Sequence, residues 1–256
     1  MRIGVLGTGH LAEFLIRGAA GHGFSFVVSP RSAARAAGLA ASHGVEVAQS
    51  NQAVVDGCDL ILVCLPAAEG VAILRGLRFR VGQSVLSAMA GARVAAVAGA
   101  VAPAAAACAM MPGLANAHGL GPCLLHPARG EWEGFLAALG PLHVFEDEGE
   151  FVTATAFGAM SGAAFFWMDA LIGWYVAQGV EAGTARRLVA ETVRGNAEVL
   201  LRESSSLADI RTGIATPGGI TEALVRVLQA RGALAAWGEG MDVVLGRVRG
   251  KDGEKE

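Results

Sequence analysis

The sequence predicts an α/β protein in two parts. Residues 1–148 read as a domain built on a mostly parallel sheet, and residues 149–256 as an all-α domain. Three observations carry this. Short apolar runs alternate with helical periodicity through the first half, as repeated β-α units require. The first unit joins strand to helix through Gly7-Thr8-Gly9. After the acidic, turn-like segment Glu146-Asp-Glu-Gly-Glu150 the pattern is helical and no further strand is legible.

Each element has a local reason. Residues 3–6 form a short apolar strand, and Leu11, Phe14, Leu15 and Ile16 then recur at helical spacing. A second strand is expected over 24–28, a helix over 33–41 and a short strand over 45–48. Residues 59–65, with Leu-Ile-Leu-Val-Cys-Leu, read as a buried strand closed by Pro66. A helix follows over 71–77. A strand over 84–88 ends at Gly91, and a helix covers 94–100. A sixth strand over 106–111 is closed by Pro112, and a last α-β unit spans 132–145. Strands this apolar belong in a parallel sheet covered on both faces. The second part is expected to hold four helices, over 152–178, 183–203, from Pro217-Gly218-Gly219 to 231, and over 234–248.

Composition limits the function. Hydrophobic residues make up 53% of the 256 and charged residues 17%, enough for a substantial core. A net charge of -3, with no run of Lys or Arg, gives no nucleic-acid groove. Cys58, Cys64, Cys108 and Cys123 form no C-x-x-C and have no zinc-spaced histidines, so they read as buried reduced thiols in a cytoplasmic protein, with no metal expected. The first strand starts at residue 2 or 3, leaving no signal peptide. Residues 94–125 and 151–168 are uncharged and invite a membrane reading. Prolines break the first. The second is rich in small residues and reaches Asp169, so both read as soluble core. A helix apolar nearly all round must be buried by neighbours, including a second subunit.

Gly7, Gly9 and Ala12 make G-x-G-x-x-A between a strand and a helix, the dinucleotide-binding signature of a Rossmann domain. Gly7 permits a tight turn, Gly9 admits a pyrophosphate, and Ala12 lets the helix lie close to the sheet. Gly7, Thr8, Gly9, His10, Leu11 and Ala12 form the expected phosphate-facing segment, with helix N–H groups pointing at the anion. His10 is read as lining this site rather than as an acid or base. The second strand ends in Val28-Ser29-Pro30-Arg31-Ser32, with no acid to hold an adenosine ribose. A cation flanked by Ser29 and Ser32 suits a 2′-phosphate, so NADP(H) is preferred to NAD(H). The bland alternative is that Arg31 only solvates a helix start. Leu65 and Pro66, after the fourth strand, are expected on the nicotinamide side.

Several segments in order resemble the pyrroline-5-carboxylate reductase family. They are residues 3–18, Leu62-Val-Cys-Leu-Pro66, Ser87-Ala-Met-Ala-Gly91, Met111-Pro112 with Gly119 and Gly121, Ser161-Gly162, and Thr216-Pro-Gly-Gly-Ile-Thr221. The chain departs from the family as well. Gly113 stands where the family has Asn after Met-Pro, with Asn116 three positions on as the available substitute. Leu65 replaces a Lys, and Ala163-Ala164-Phe165 replaces Pro-Ala-Tyr. The chain therefore reads as a divergent member.

The resemblance implies hydride reduction of a cyclic imine, pyrroline-5-carboxylate to proline, by a homodimer or larger homo-oligomer whose helical domain interlocks with a second copy. It places Met111 and Pro112 against the cofactor, and Asn116, Ser161 and Gly162 against the substrate. It gives Thr221 the contact with the imine nitrogen. Read on its own, Pro217-Gly218-Gly219 before a helix exposes consecutive N–H groups, and Gly218 and Gly219 make a carboxylate site. Thr216 also suits an N-cap. Ser161-Gly162 is equally a gap for a ring or a small-residue packing patch. The open alternatives are a reductase of another imine or a keto group, and a non-catalytic NADP-binding sensor.

Overall fold

The computed structural model describes residues 1–31 and 33–250. Its first half is an eight-stranded sheet in the order β3-β2-β1-β4-β5-β6-β7-β8. The strands are β1 (Arg2–Leu6), β2 (Ser25–Val28), β3 (Glu46–Val47), β4 (Leu60–Val63), β5 (Ser84–Ser87), β6 (Ala105–Met110), β7 (Cys123–His126) and β8 (Leu142–Val144). All neighbouring pairs are parallel except β6 and β7. The helices between them are α1 (His10–Gly18), α2 (Ala33–His43), α3 (Asn51–Gly57), α4 (Ala67–Arg75), α5 (Val94–Val101) and α6 (Gly130–Leu139).

Alternation along each strand divides the apolar residues between the two faces. Ile3, Val5, Leu62, Leu86 and Leu125 pack on one side with α1 and α6, and Leu6, Ile61, Val63, Val85 and Leu124 on the other. Trp132 of α6 is fully buried, and its indole N–H donates to Ser84 Oγ on β5 at 2.9 Å. That bond satisfies the one polar atom of the largest core side chain.

Three elements up to Ala177 differ from the sequence expectation. Helix α3, capped by Ser50 Oγ accepting from Ala53 N–H, was not legible because its seven residues are too short for a period to show. Strand β7 lies inside 112–131, where the sequence analysis assigns no element; four residues pairing antiparallel with β6 leave no β-α signature. The expected single helix over 152–178 is two helices, α7 (Glu148–Ala154) and α8 (Phe157–Ala177). Asp147 caps α7, its carboxylate accepting from Glu150 N–H at 2.8 Å.

The contacts divide the chain into two compact units, Met1–Gly158 with the residues from Leu245 on, and Ala159–Val244. The second unit contains no strand among the described residues. Its helices are most of α8, α9 (Ala182–Arg202), α10 (Leu207–Ile214), α11 (Ile220–Ala230) and most of α12 (Ala235–Val248). Helix α10 was also missed, hidden beside Ser204-Ser-Ser206, of which Ser206 is its N-cap. Helix α8 is apolar yet has no buried residue, and Phe166 is 83% exposed within one chain. The segment Glu148–Ala177 is long and apolar enough to cross a membrane by length and composition.

Candidate active site

The first element of the site is the turn from β1 to α1. Gly7 has φ +94°, a backbone shape that L side chains rarely adopt. A β-carbon there would lie 2.6 Å from the Cys64 carbonyl oxygen, because β1 and β4 run in register to their ends, with Leu6 opposite Val63. The Gly7 N–H donates to Ser29 Oγ at 2.9 Å, tying the turn to the end of β2. Gly9 differs. A β-carbon there would meet nothing within 4 Å. No side chain caps the start of α1, so its first N–H groups remain available to an anion. Thr8 is 3% exposed, and its Oγ1 has no hydrogen-bond partner. A buried hydroxyl without a partner is costly unless a ligand completes it. Open space above Gly9, an uncapped helix start and an orphaned hydroxyl fit a dinucleotide pyrophosphate.

The other predicted cofactor residues divide by burial. Ser29 is buried and accepts from Gly7, so it acts beneath the turn rather than facing a 2′-phosphate as expected. Ser32 lies outside the described residues. Arg31 is exposed and pairs with Glu69 of α4 at 3.3 Å. His10 opens α1, with its Nε2 3.1 Å from Arg35 Nη2. Arg35 was not singled out in the sequence, although it follows Arg31 by four residues. It places a second cation beside the glycine turn. Ala12 is fully buried, as close helix–sheet packing requires, and Leu11 packs partly into the same core. The Leu65 side chain is also buried, beneath Gly7, so only its backbone and the exposed Pro66 can face a ligand. Met111 is likewise a core residue, while Pro112 is half-buried.

Asn116 corrects the expectation of a substrate contact. It is 0% exposed. Its Oδ1 accepts from Gly113 N–H at 2.9 Å, and its Nδ2 donates to the carbonyls of Gly121 at 2.8 Å and Leu139 at 3.2 Å. The side chain spends its polar capacity holding the short 3-10 turn Leu114–His118 closed. Gly113 has φ +91°, and a β-carbon on it would lie 3.3 Å from the Phe14 ring. The departure from the family's Asn thus goes with a backbone shape that favours glycine.

In the helical unit, Thr216-Pro-Gly-Gly leads into α11. The expectation that Gly218 and Gly219 offer their N–H groups to a substrate carboxylate is not met. Gly218 N–H donates to Glu222 Oε2 at 2.7 Å, and Gly219 N–H donates to the Thr216 carbonyl at 2.9 Å. Glu222 sits in the first turn of α11, where a carboxylate commonly reaches back to free N–H groups. Thr221 lines a cleft of about 410 Å³ with Arg211 and Thr212 of α10, an arrangement not anticipated for Arg211 because α10 itself was not read. Ser161 and Gly162 lie on α8 and do not line that cleft. A β-carbon on Gly162 would meet nothing within 4 Å, so packing within this chain does not require glycine there.

Burial pushes the Cys108 and Cys123 thiols up to about 12, which keeps them protonated and poor nucleophiles. Among the described residues no group of three His, Cys, Asp or Glu side chains is placed to hold a metal ion.

Comparison with known proteins follows the same division. Residues 148–250 match the family model for pyrroline-5-carboxylate reductase dimerisation. Residues 2–91 match the model described as NADP oxidoreductase, coenzyme F420-dependent. The chain is 28% identical over 245 residues to a pyrroline-5-carboxylate reductase of Pseudomonas aeruginosa, covering 90% of this chain and 89% of that protein. It is similar to the crystal structure of a 1-pyrroline-5-carboxylate reductase from Streptococcus pyogenes, with a TM-score of 0.87, 23% identity and 98% of each chain covered. A pyrroline carboxylate reductase from Plasmodium falciparum, solved with NADP bound, also gives 0.87, at 16% identity over 98% of this chain and 99% of that one. At these identities the two structures speak for the fold.

Proposed function

Because this chain belongs to the pyrroline-5-carboxylate reductase family, we propose that it reduces pyrroline-5-carboxylate to proline with NADPH. The observation that carries the reading is Thr221, the hydroxyl of the family's glycine-turn motif, lining a cleft in the helical unit. When bound, the nicotinamide supplies the hydride that adds to the C=N carbon. The chain's own residues bind and orient. The N–H groups at the start of α1 and Thr8 Oγ1 would hold the cofactor's pyrophosphate. Arg31, with Arg35 against His10 as a second cation, would take the 2′-phosphate that distinguishes NADP from NAD. The Thr221 hydroxyl hydrogen-bonds the imine nitrogen and keeps the ring oriented. It is too weak an acid to do more than hold that nitrogen or relay a proton through water at neutral pH.

We assign the helical part, 149–256, to dimerisation and substrate binding, and the assembly to a homodimer. Support comes from α8, whose exposed aromatic residues Phe165, Phe166, Trp167 and Trp174 a second copy would cover. That covering, rather than lipid, is our reading of the segment Glu148–Ala177. Four unpaired cysteines fit a reducing compartment, and we place the enzyme in the cytoplasm.

The test is NADPH oxidation by the purified protein with pyrroline-5-carboxylate, alongside Thr221→Ala. Turnover that falls at least tenfold in kcat in the variant, with NADPH affinity unchanged, supports the reading. Tight NADPH binding with no turnover on this substrate overturns it, and moves the assignment to another imine or a cofactor sensor.

A further inference from the structure

A cation that takes a 2′-phosphate has to be released to it, and Arg31 is already engaged. Its Nη1 and Nη2 donate to Glu69 Oε2 at 3.4 and 3.3 Å. The two residues come from opposite sides of the glycine turn. Arg31 lies just beyond β2, and Glu69 lies in the first turn of α4, just beyond β4. Strand β1 runs between those two strands, and all three are parallel, so their carboxyl ends share one edge of the sheet. Ser29, next to Pro30 and Arg31, accepts the Gly7 N–H, while the Cys64 carbonyl, ahead of Glu69, closes on Gly7 from the other side. The ion pair therefore straddles the end of β1, at the edge where a dinucleotide lies in a sheet of this kind.

Helix α4 does not account for this pairing. It starts without a side-chain cap, and Glu69 complements that end of the helix from its first turn with no need of Arg31. Nor does the pair hold the fold together, because both side chains are more than half exposed, where an ion pair contributes little. What it fixes is the state of the guanidinium. N–H groups spent on a carboxylate reach a phosphate only by giving the carboxylate up. The end of β2 has no acid of its own, yet Glu69 brings one to the same cation from another strand–helix unit. Resting on the assignment of Arg31 to the 2′-phosphate, we propose that Glu69 is a positioning residue that sets cofactor choice. It holds Arg31 when no 2′-phosphate is present and yields it to NADPH. It thereby lowers the affinity for NADPH and leaves that for NADH, which has no phosphate to exchange, unchanged. The preference for NADPH stays below what Arg31 alone would give.

The experiment titrates the full chain with NADPH and with NADH, read by nicotinamide fluorescence, in the wild type, Glu69→Gln, Arg31→Ala and the double variant. Glutamine keeps the shape of the side chain and removes its charge. An exposed ion pair corresponds to about two- to fivefold in affinity. Glu69→Gln should tighten NADPH by that factor, leave NADH within about 1.5-fold and leave the melting temperature at the wild-type value. The gain should disappear in about 1 M salt, where charges are screened beyond about 3 Å. It should also disappear in the Arg31→Ala background, since Glu69 acts through that residue. NADPH binding that is unchanged or weaker in Glu69→Gln, an equal gain for NADH, or a gain that persists in high salt or without Arg31 overturns the proposal. Arg31→Ala separates this from the assignment beneath it. If that variant loses NADPH affinity while Glu69→Gln changes nothing, Arg31 keeps the phosphate and only the role of Glu69 falls. If it binds NADPH like the wild type, the assignment of Arg31 fails and the proposal falls with it.

Discussion

Gly7 and Gly9 stand two residues apart in one turn, and the structure gives them opposite reasons to be glycine. Replacing each by alanine separates the two. At Gly7 the new β-carbon meets a backbone oxygen at 2.6 Å, and φ +94° is unfavourable for an L residue. The left-handed strain costs about 1–2 kcal/mol. Forcing an extra carbon into packed structure costs about 1–3 kcal/mol more. Gly7→Ala should therefore lose roughly 2–5 kcal/mol of stability. At Gly9, φ is -81° and the β-carbon meets nothing. Gly9→Ala should be neutral or gain a few tenths of a kcal/mol, because the unfolded chain loses freedom. The same carbon occupies the space assigned to the pyrophosphate, so NADPH affinity should fall at least tenfold, about 1.4 kcal/mol. Urea unfolding reads the first quantity and nicotinamide fluorescence titration the second. The reasoning is refuted if Gly9→Ala binds NADPH like the wild type, or if it is destabilised as much as Gly7→Ala.

Other outcomes follow from the same geometry. Asn116→Ala strands Gly113 N–H and the Gly121 and Leu139 carbonyls in a fully buried place. It should cost at least about 3 kcal/mol in urea unfolding, given about 1–3 kcal/mol for each of the buried groups left unpaired; a stable variant with raised KM would restore the substrate role instead. Arg31→Ala should weaken NADPH by about tenfold and leave NADH within about twofold, measured by titration of both; equal losses would detach Arg31 from the 2′-phosphate. Phe166→Glu, on the exposed apolar helix, should shift light scattering from twice the 26.0 kDa chain mass toward the monomer, and an unshifted dimer would move the interface off α8. The buried thiols also set a pH dependence. With Cys108 and Cys123 raised to about 12, the folded state keeps protons that unfolded thiols lose above about 8.5. Stability is therefore complete below that pH and falls as pH rises toward 12, by on the order of 1 kcal/mol per thiol per pH unit. Denaturant midpoints that are flat from pH 8 to 10.5 would contradict this burial.

The sequence by itself determined the sheet's parallel core, the place of the glycine turn and the change to helices after Glu150. These are local signals: apolar runs too short for helices, a turn needing glycine, and a helical period sustained over many residues. The exposed apolar face of α8 was legible for the same reason, since hydrophobicity around a whole helix needs no partner to be seen. What only the tertiary structure decided was where each polar atom is spent. Ser29 and Asn116 look like ligand contacts in sequence because they are polar residues in the expected segments. Folding turns one under Gly7 and the other into a buried clasp, because distant backbone groups had to be paired. Gly218 and Gly219 read as open donors until Glu222, four residues on from Gly218, is seen to take the first N–H and the Thr216 carbonyl the second. Arg211 and Arg35 went unread because their meaning comes from a cleft and a turn formed by other elements. Propensity and period are properties of a segment, whereas the availability of a hydrogen-bonding group depends on every neighbour that the fold brings to it.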